Sequence, residues 1–440
     1  MRNPFKTLRW WAWLMLGVGV VLLLVCEAFY LLYWENRSSR TDYPDYSAVI
    51  QYFPDGATLR HPTNQELRYF PTLWPTLPPE QNASTWYLKA DTLQAQSDPP
   101  PGSGASPDAY AGDLAALEKW IEANRPALDV LLEGNKLDYC RYPFFMSRKS
   151  GLSSLVETKT LGGIRALALR CRDAGIVEEL KGHPDAAVDW HLANIRMGTQ
   201  VSHGAVLQNL VGTGIIFVGM GSLDSLIANA ALSDESLREI IAGCLAAESS
   251  IPEWADTMKC EKEYTWELMR SGGLGGKFGY FFLGARRGLN KSLEEVGTPL
   301  YILLAGQEAQ DILHGKHPKG EGLLAPVRLP WYAVVGRGDV SLRATRIRAA
   351  IALYQRENGK LPDNLDALCP KFLPTVPLDP FSGKPLRYEK TQDGWKLWSV
   401  GSDLKDDGGT VNDAPHRIDD PDYVFTSNVK TTLDRIMRVK

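Results

Sequence analysis

Hydrophobic positions along the chain follow three rhythms. From Trp10 to Trp34 they are nearly continuous, "WWAWLMLGVGVVLLLVCEAFYLLYW", broken by Glu27. About 20 apolar residues cross a bilayer as a helix, so this segment is predicted to span a membrane. Between 112 and 330 apolar residues recur three and four apart, the spacing of one face of a helix. Near the C-terminus the period drops to two, the spacing of half-buried strands.

Within the helical stretch, "LAALEKWIEANRPALDVLL" places Leu114, Leu117, Ile121, Leu128 and Leu131 or Leu132 near one face, with Pro126 expected to break the helix. Further on, Ile164, Leu167 and Cys171 mark a face, Gly182 and Pro184 make a turn, and Ala187, Trp190, Ala193 and Met197 mark a returning face. This is a helical hairpin that loosely resembles a tetratricopeptide unit, without a second copy at a ~34-residue period. "NLVGTGIIFVGMGSL" is short of a span and stops at Asp224, which predicts a buried helix packed closely at Gly212, Gly219 and Gly221. Ser233, followed by Asp234 and Glu235, is expected to cap a helix reaching Ser249.

From Asp339 an amphipathic helix is predicted, with Ile347, Ala350, Ile351 and Tyr354 on one stripe and Arg343, Arg346, Arg348 and Arg356 largely elsewhere. Gly359 ends it and Pro362 forbids its return. A short helix through "NLDALCP" follows, and "PLRYEKTQDGWKLWSVGSD" then alternates around Asp393-Gly394 as a hairpin, with Leu386, Tyr388, Trp395, Leu397 and Ser399 as the repeating set. The expected fold class is α+β: an N-terminal transmembrane helix, a mainly helical middle and a small helix-plus-antiparallel-sheet module. The organisation is 1–9 cytoplasmic, 10–34 membrane helix, 35–111 Pro-rich stalk and linker, 112–330 helical domain, 338–426 C-terminal module and 427–440 tail. The stalk is read from "YFPTLWPTLPP" and "SDPPPGSGASPD", where proline removes backbone donors and blocks helix interiors.

Charge refines the location. Arg2, Lys6 and Arg9 precede the apolar span, so the N-terminus is expected in the cytoplasm and the bulk of the chain outside it, in the periplasm of a bacterial inner-membrane protein. Tryptophans and tyrosines at both ends of the span suit the two membrane interfaces. A cleaved signal would have a shorter apolar core, and Leu24-Val25 lack the small residue that acylation at Cys26 would need. With a net charge of -4 and scattered basic residues, no nucleic-acid partner is expected.

Candidate chemistry is sparse. Six cysteines form no CxxC pair, and Cys171 and Cys244 are expected as buried thiols on apolar helix faces. HExxH and GxSxG are absent, the spacing of His183, His191 and His203 fits no metal site, and Glu157, Glu178-Glu179 and Glu261-Glu263 read as solvated helix faces. The glycine-rich "SGGLGGKFGYFFLGARRG" lacks a phosphate-binding pattern and reads as a loop. No enzyme is expected.

One stretch stands apart. "SVGSDLKDDGG", Ser399 to Gly409, gathers aspartates where the chain must turn. Counted from Asp403, the third and twelfth positions are Lys405 and Ala414, which excludes an EF-hand and leaves a solvated acidic turn or a different cation loop. The order "ALYQRENGKLPDNLDAL", "VPLDPFSGKPLRYE", "WKLWSVGSDLKDDGG" resembles the C-terminal part of the type II secretion major pseudopilin (GspG-like) family over about the last hundred residues. The matching marks are Tyr354, Asn358-Gly359, Pro362, Asp379-Pro380, Tyr388 and Ser399-x-Gly401-x-Asp403. The resemblance implies a calcium ion (Ca2+) in the loop after the last strands, held by the Val400 carbonyl and Asp403, with Asp406, Asp407 and Asp413 as candidates for the later ligands. It also implies envelope or secretion-system proteins as partners. "NPFKTLRWW" carries no pseudopilin processing site and about three hundred residues separate span and module, which counts against filament assembly. The expected function is a membrane-anchored extracytoplasmic structural or interaction protein, the alternatives being a pseudopilus-associated component and an anchored hydrolase.

Overall fold

The computed structural model describes residues 57–60, 78–104, 110, 112–140, 144–147, 154–254, 256–261, 303–304, 325–410 and 422–427. All of them belong to one of the two compact units into which the chain divides, residues 46–60 and 78–440. The predicted membrane helix at 10–34, most of the stalk, the glycine-rich stretch, Asp413 and the tail lie outside the described residues.

The described chain is mostly helical, with a small antiparallel sheet, and is α+β. A two-stranded pair, β1 (Ala57–Arg60) and β2 (Phe144–Ser147), joins distant segments. The helices are α1 (Ala83–Leu93), α2 (Leu114–Asn135), α3 (Ser154–Leu180), α4 (Pro184–Val201), α5 (Val206–Asn229), α6 (Asp234–Ser250) and α7 (Ala325–Asn358). β3 (Arg387–Thr391), β4 (Gly394–Ser399) and β5 (Tyr423–Thr426) form the three-stranded sheet in the order β3-β4-β5.

Local chemistry explains the starts. Asn82, Asp113 and Ser233 each accept a hydrogen bond from a backbone N–H of the first turn that follows, capping α1, α2 and α6. Pro126 does not break α2, contrary to expectation. It lies on the exposed face, as does Glu122, whose carbonyl loses its partner, so water can satisfy that carbonyl. Buried Leu117, Ile121, Leu128 and Leu131 hold both halves of α2 in place.

The helical hairpin is α3 and α4, which turn through Gly182 at φ +82° and restart at Pro184 in the first helical turn. Its expected faces are buried apart from Trp190, which is half-buried. Glu179 departs from its solvated reading: its carboxylate is 2.9 Å from His191 Nε2, and His191 is fully buried.

Helix α5 packs against α4, its backbone brought close by the absence of side chains at Gly198, Gly212 and Gly219. A Cβ at Gly212 would come within 2.5 Å of the Gly198 carbonyl oxygen. The apolar run ends at Asp224 while the helix itself continues to Asn229, and Asp224 is buried inside it. Among the described residues α5 is long and apolar enough to cross a membrane, and 56% of its most apolar window is buried within the protein. It lies against α3, α4 and α7, as a core helix does.

Helix α7 begins at Ala325 and is continuous through the boundary placed between 330 and 338. It packs on α5 and α6, and its Val340, Leu342, Ile347, Ala350 and Ile351 share one hydrophobic core with Ile216 and Leu223 of α5, Ile240 of α6, and Trp395, Leu397 and Phe425 of the sheet. Two arginines expected away from the apolar stripe, Arg346 and Arg348, are each only 4% exposed. Partners on the neighbouring helices make this burial possible. Arg346 pairs with Glu248 of α6 through both carboxylate oxygens at 2.9 Å, and Arg348 Nε lies 3.1 Å from Asp224 Oδ1. Gly359, at φ +69°, ends α7 as expected.

Candidate metal centre

The sheet positions the acidic turn. β3 and β4 are joined through Gln392 and Asp393, one residue earlier than read from the sequence, and Gly394 opens β4 at φ +143°. Trp395, Leu397 and Ser399 are buried along β4 with intermediate neighbours between them, so the period-two pattern holds. β5, absent from the sequence expectation, pairs with the outer edge of β4.

Immediately before β3 the Asp379-Pro380 segment is tied to the end of β4. The Asp379 side chain is fully buried. Its Oδ1 accepts from the Phe381 N–H at 3.0 Å and the Ser399 hydroxyl at 2.7 Å, and its Oδ2 from the Ser382 hydroxyl at 2.8 Å and the Val400 N–H at 3.2 Å. A buried carboxylate needs such a full set of donors. This one fixes where the acidic turn begins.

The expected ligands fall as follows. Val400 is buried, its N–H committed to Asp379. Asp403 accepts from the Lys405 N–H at 3.0 Å, and the Lys405 ammonium lies 3.9 Å from its second oxygen. Asp406 accepts at Oδ1 from the Trp398 indole N–H at 3.0 Å and the Gly408 N–H at 3.1 Å, and at Oδ2 from Arg387 Nε at 2.5 Å. The Trp398 donor above all, helped by Gly408 and Arg387, holds the Asp406 carboxyl below the usual carboxylate range. Asp407 is exposed and its carbonyl accepts from the Thr410 hydroxyl at 2.6 Å. Leu404, with φ +62°, and Gly401, Gly408 and Gly409, with φ of +66°, +72° and +66°, supply the left-handed turns that fold this stretch back on itself.

A further carboxylate enters from outside the quoted stretch. Asp422, directly before β5, is 6% exposed; its Oδ2 accepts from the Gly409 N–H at 2.7 Å, and the Asp407 backbone is a second donor to its carboxylate. Burial above all, with Asp406 and Asp407 nearby, pushes its carboxyl up. Sequence reasoning passed over Asp422 because nothing local joins it to the turn; its position just before an apolar strand was the available signal.

Fitted to calcium, this donor set is incomplete among the described residues. No group of three or more His, Cys, Asp or Glu side chains converges there as a metal site. The Asp422 carboxylate with Asp406 and Asp407 nearby supplies negative charge, but among the described residues it falls short of the six to eight oxygens that calcium takes. Among the described residues no two cysteines form a disulfide with each other. Burial pushes the Cys171 and Cys244 thiols far up, which makes them inert. No family model matches the chain, and no curated protein or solved structure matches it.

Proposed function

We propose that this protein is a membrane-anchored extracytoplasmic scaffold whose helical body presents a pseudopilin-like, calcium-stabilised head to envelope partners. The observation that carries this reading is the use of α7. The helix that leads into the head is held within the body by Asp224–Arg348 and Glu248–Arg346, with its apolar residues in a common core. A head mounted in this way is presented by its own body, and the α7 surface facing α5 and α6 is already covered, which disfavours packing of that surface into a filament.

In the metal part of the reading, Asp403, Asp407, Asp422 and the Val400 carbonyl hold the ion, with Asp406 and Asp413 as further candidates. Calcium there would neutralise the turn and join the end of β4 to the start of β5, stiffening one edge of the head.

The test uses the full chain, because isolating the head would strip α7 from the helices that bury it. Melting is followed with calcium, with magnesium and with excess chelator. At a hundred times the dissociation constant, a ligand bound only to the folded state adds about 2.7 kcal/mol, which raises the melting temperature by a few degrees or more. A calcium-specific rise that Asp403→Ala and Asp422→Asn remove supports the metal site. An unchanged melting temperature would sink it. Protease protection of the chain in sealed membrane vesicles tests the anchor separately.

A further inference from the structure

Arg343 of α7 stands among three acceptors where the head meets α6. Its Nε and Nη2 donate to the two carboxylate oxygens of Asp339, each at 2.8 Å, and its Nη1 donates to the Leu378 carbonyl in the loop that leads to Asp379. The third acceptor is Glu248 of α6, whose Oε2 lies 3.6 Å from Arg343 Nε, beyond hydrogen-bond reach. That oxygen accepts from Arg346 Nη2 at 2.9 Å instead. Glu248 Oε1 is 2.9 Å from Arg346 Nε but is not aligned with it, so this buried oxygen has no hydrogen-bond partner and is open to a proton.

We propose that Glu248 is a proton-sensitive latch: with a proton it leaves Arg343 tied to the Leu378 carbonyl, and without one it draws the guanidinium to itself and frees the head loop from the body. The surrounding charges fix the sign. From α7, Arg343 and Arg346 face Glu248, with Asp339 beyond Arg343. On α6 itself Cys244 adjoins Glu248, and it also lies near Asp224 of α5, whose charge Arg348 pairs. On the head side Cys369 adjoins Arg346 and Asp379 adjoins Asp339. From α4, Asp185 and Asp189 meet Glu235 and Glu239 at the other end of α6. Burial pushes the Glu248 carboxyl up to about 7 against the pull of Arg346 and Arg343, so its charge changes in the neutral range. Once ionised it is an anion within 3.6 Å of Arg343, at side-chain exposures of 10% and 22%, where the attraction is stronger than in open water. An arrangement that pairs this carboxylate with Arg343 holds the charge more readily, so loss of the proton favours it. Glu248 acts here through Arg343, as a positioning residue. The latch goes beyond the scaffold reading and needs no metal in the acidic turn.

The experiment is hydrogen exchange of the full chain from pH 5.5 to 8.5, with rates corrected for the intrinsic pH dependence of exchange. The reporters are the amides of Asp379, Gly383 and Leu386, which donate to the carbonyls of Lys384, Asp379 and Pro377 within the loop. Their protection is expected to fall about tenfold as pH rises through 7. Glu248→Gln, neutral at every pH, is expected to keep the high protection throughout. Arg343→Gln removes the tie and is expected to show low protection without a step; it serves if Glu248→Gln fails to fold, as judged by near-ultraviolet circular dichroism. Glu239→Gln, on the same helix but facing α4 acids, is expected to keep the wild-type step. A flat wild-type profile, a step that survives in Glu248→Gln or Arg343→Gln, or a step lost in Glu239→Gln overturns the latch.

Discussion

Asp224 and Arg348 lie 124 residues apart in sequence and meet as a buried ion pair, with Oδ1 3.1 Å from Nε and side-chain exposures of 10% and 4%. Thr345 donates to the same oxygen at 2.9 Å, and the guanidinium carbon of Arg348 sits 4.9 Å from the Trp395 ring centroid. One arginine on α7 therefore touches the body through Asp224 and the sheet through Trp395. Breaking such a pair from one side leaves a buried charge alone. Asp224→Ala or Arg348→Ala is expected to cost about 3–5 kcal/mol in urea unfolding of the full chain, while Asp224→Leu combined with Arg348→Met recovers most of the loss. Additive losses in the double variant would contradict this account.

Glu248 predicts a pH dependence. Burial outweighs the attraction of Arg346 and Arg343 and pushes its carboxyl up from 4.5 to about 7. Between those values the folded state holds a proton that the unfolded chain has released. This group's contribution is therefore greatest below about pH 4.5 and falls as pH rises toward 7, by at most about 1.4 kcal/mol per pH unit. Denaturation midpoints of Glu248→Gln are expected to be flatter than wild type across that window; parallel curves would argue against titration of Glu248 there.

At Asp379, truncation to alanine strands the N–H groups of Phe381 and Val400 and the hydroxyls of Ser382 and Ser399. A loss of roughly 3 kcal/mol is expected, because buried donors lose their acceptor. Hydrogen exchange should accelerate in β3 and β4 while α3 and α4 keep wild-type protection.

The crossing of α4 and α5 is intolerant of side chains. Gly212→Val places new atoms where even a Cβ lies 2.5 Å from the Gly198 carbonyl oxygen and the Ser202 nitrogen, both backbone atoms that cannot swing aside. Destabilisation of about 1–3 kcal/mol or more is expected. Gly214→Val, at a position with no atoms within 4 Å of its Cβ, should cost far less.

What the sequence by itself determined is local. Capping at Ser233, the turn at Gly182-Pro184, termination at Gly359 and the alternation Trp395, Leu397, Ser399 depend on neighbours a few residues away, and each stands where its residues predict. Pro126 sits within a continuous α2 because its effect depends on which face of the helix meets water, and packing sets that face. The charged residues show the same limit: Arg346, Arg348 and Glu179 look like surface positions in sequence, and only partners brought in from other helices allow their burial. In the candidate site, Asp403, Asp406 and Asp407 were legible as a run of acid in a turn, whereas Asp422 and the grip of Arg387 and Trp398 on Asp406 were not. These belong to separate strands, and the register that brings them together is decided by long-range pairing that no short window of the chain contains.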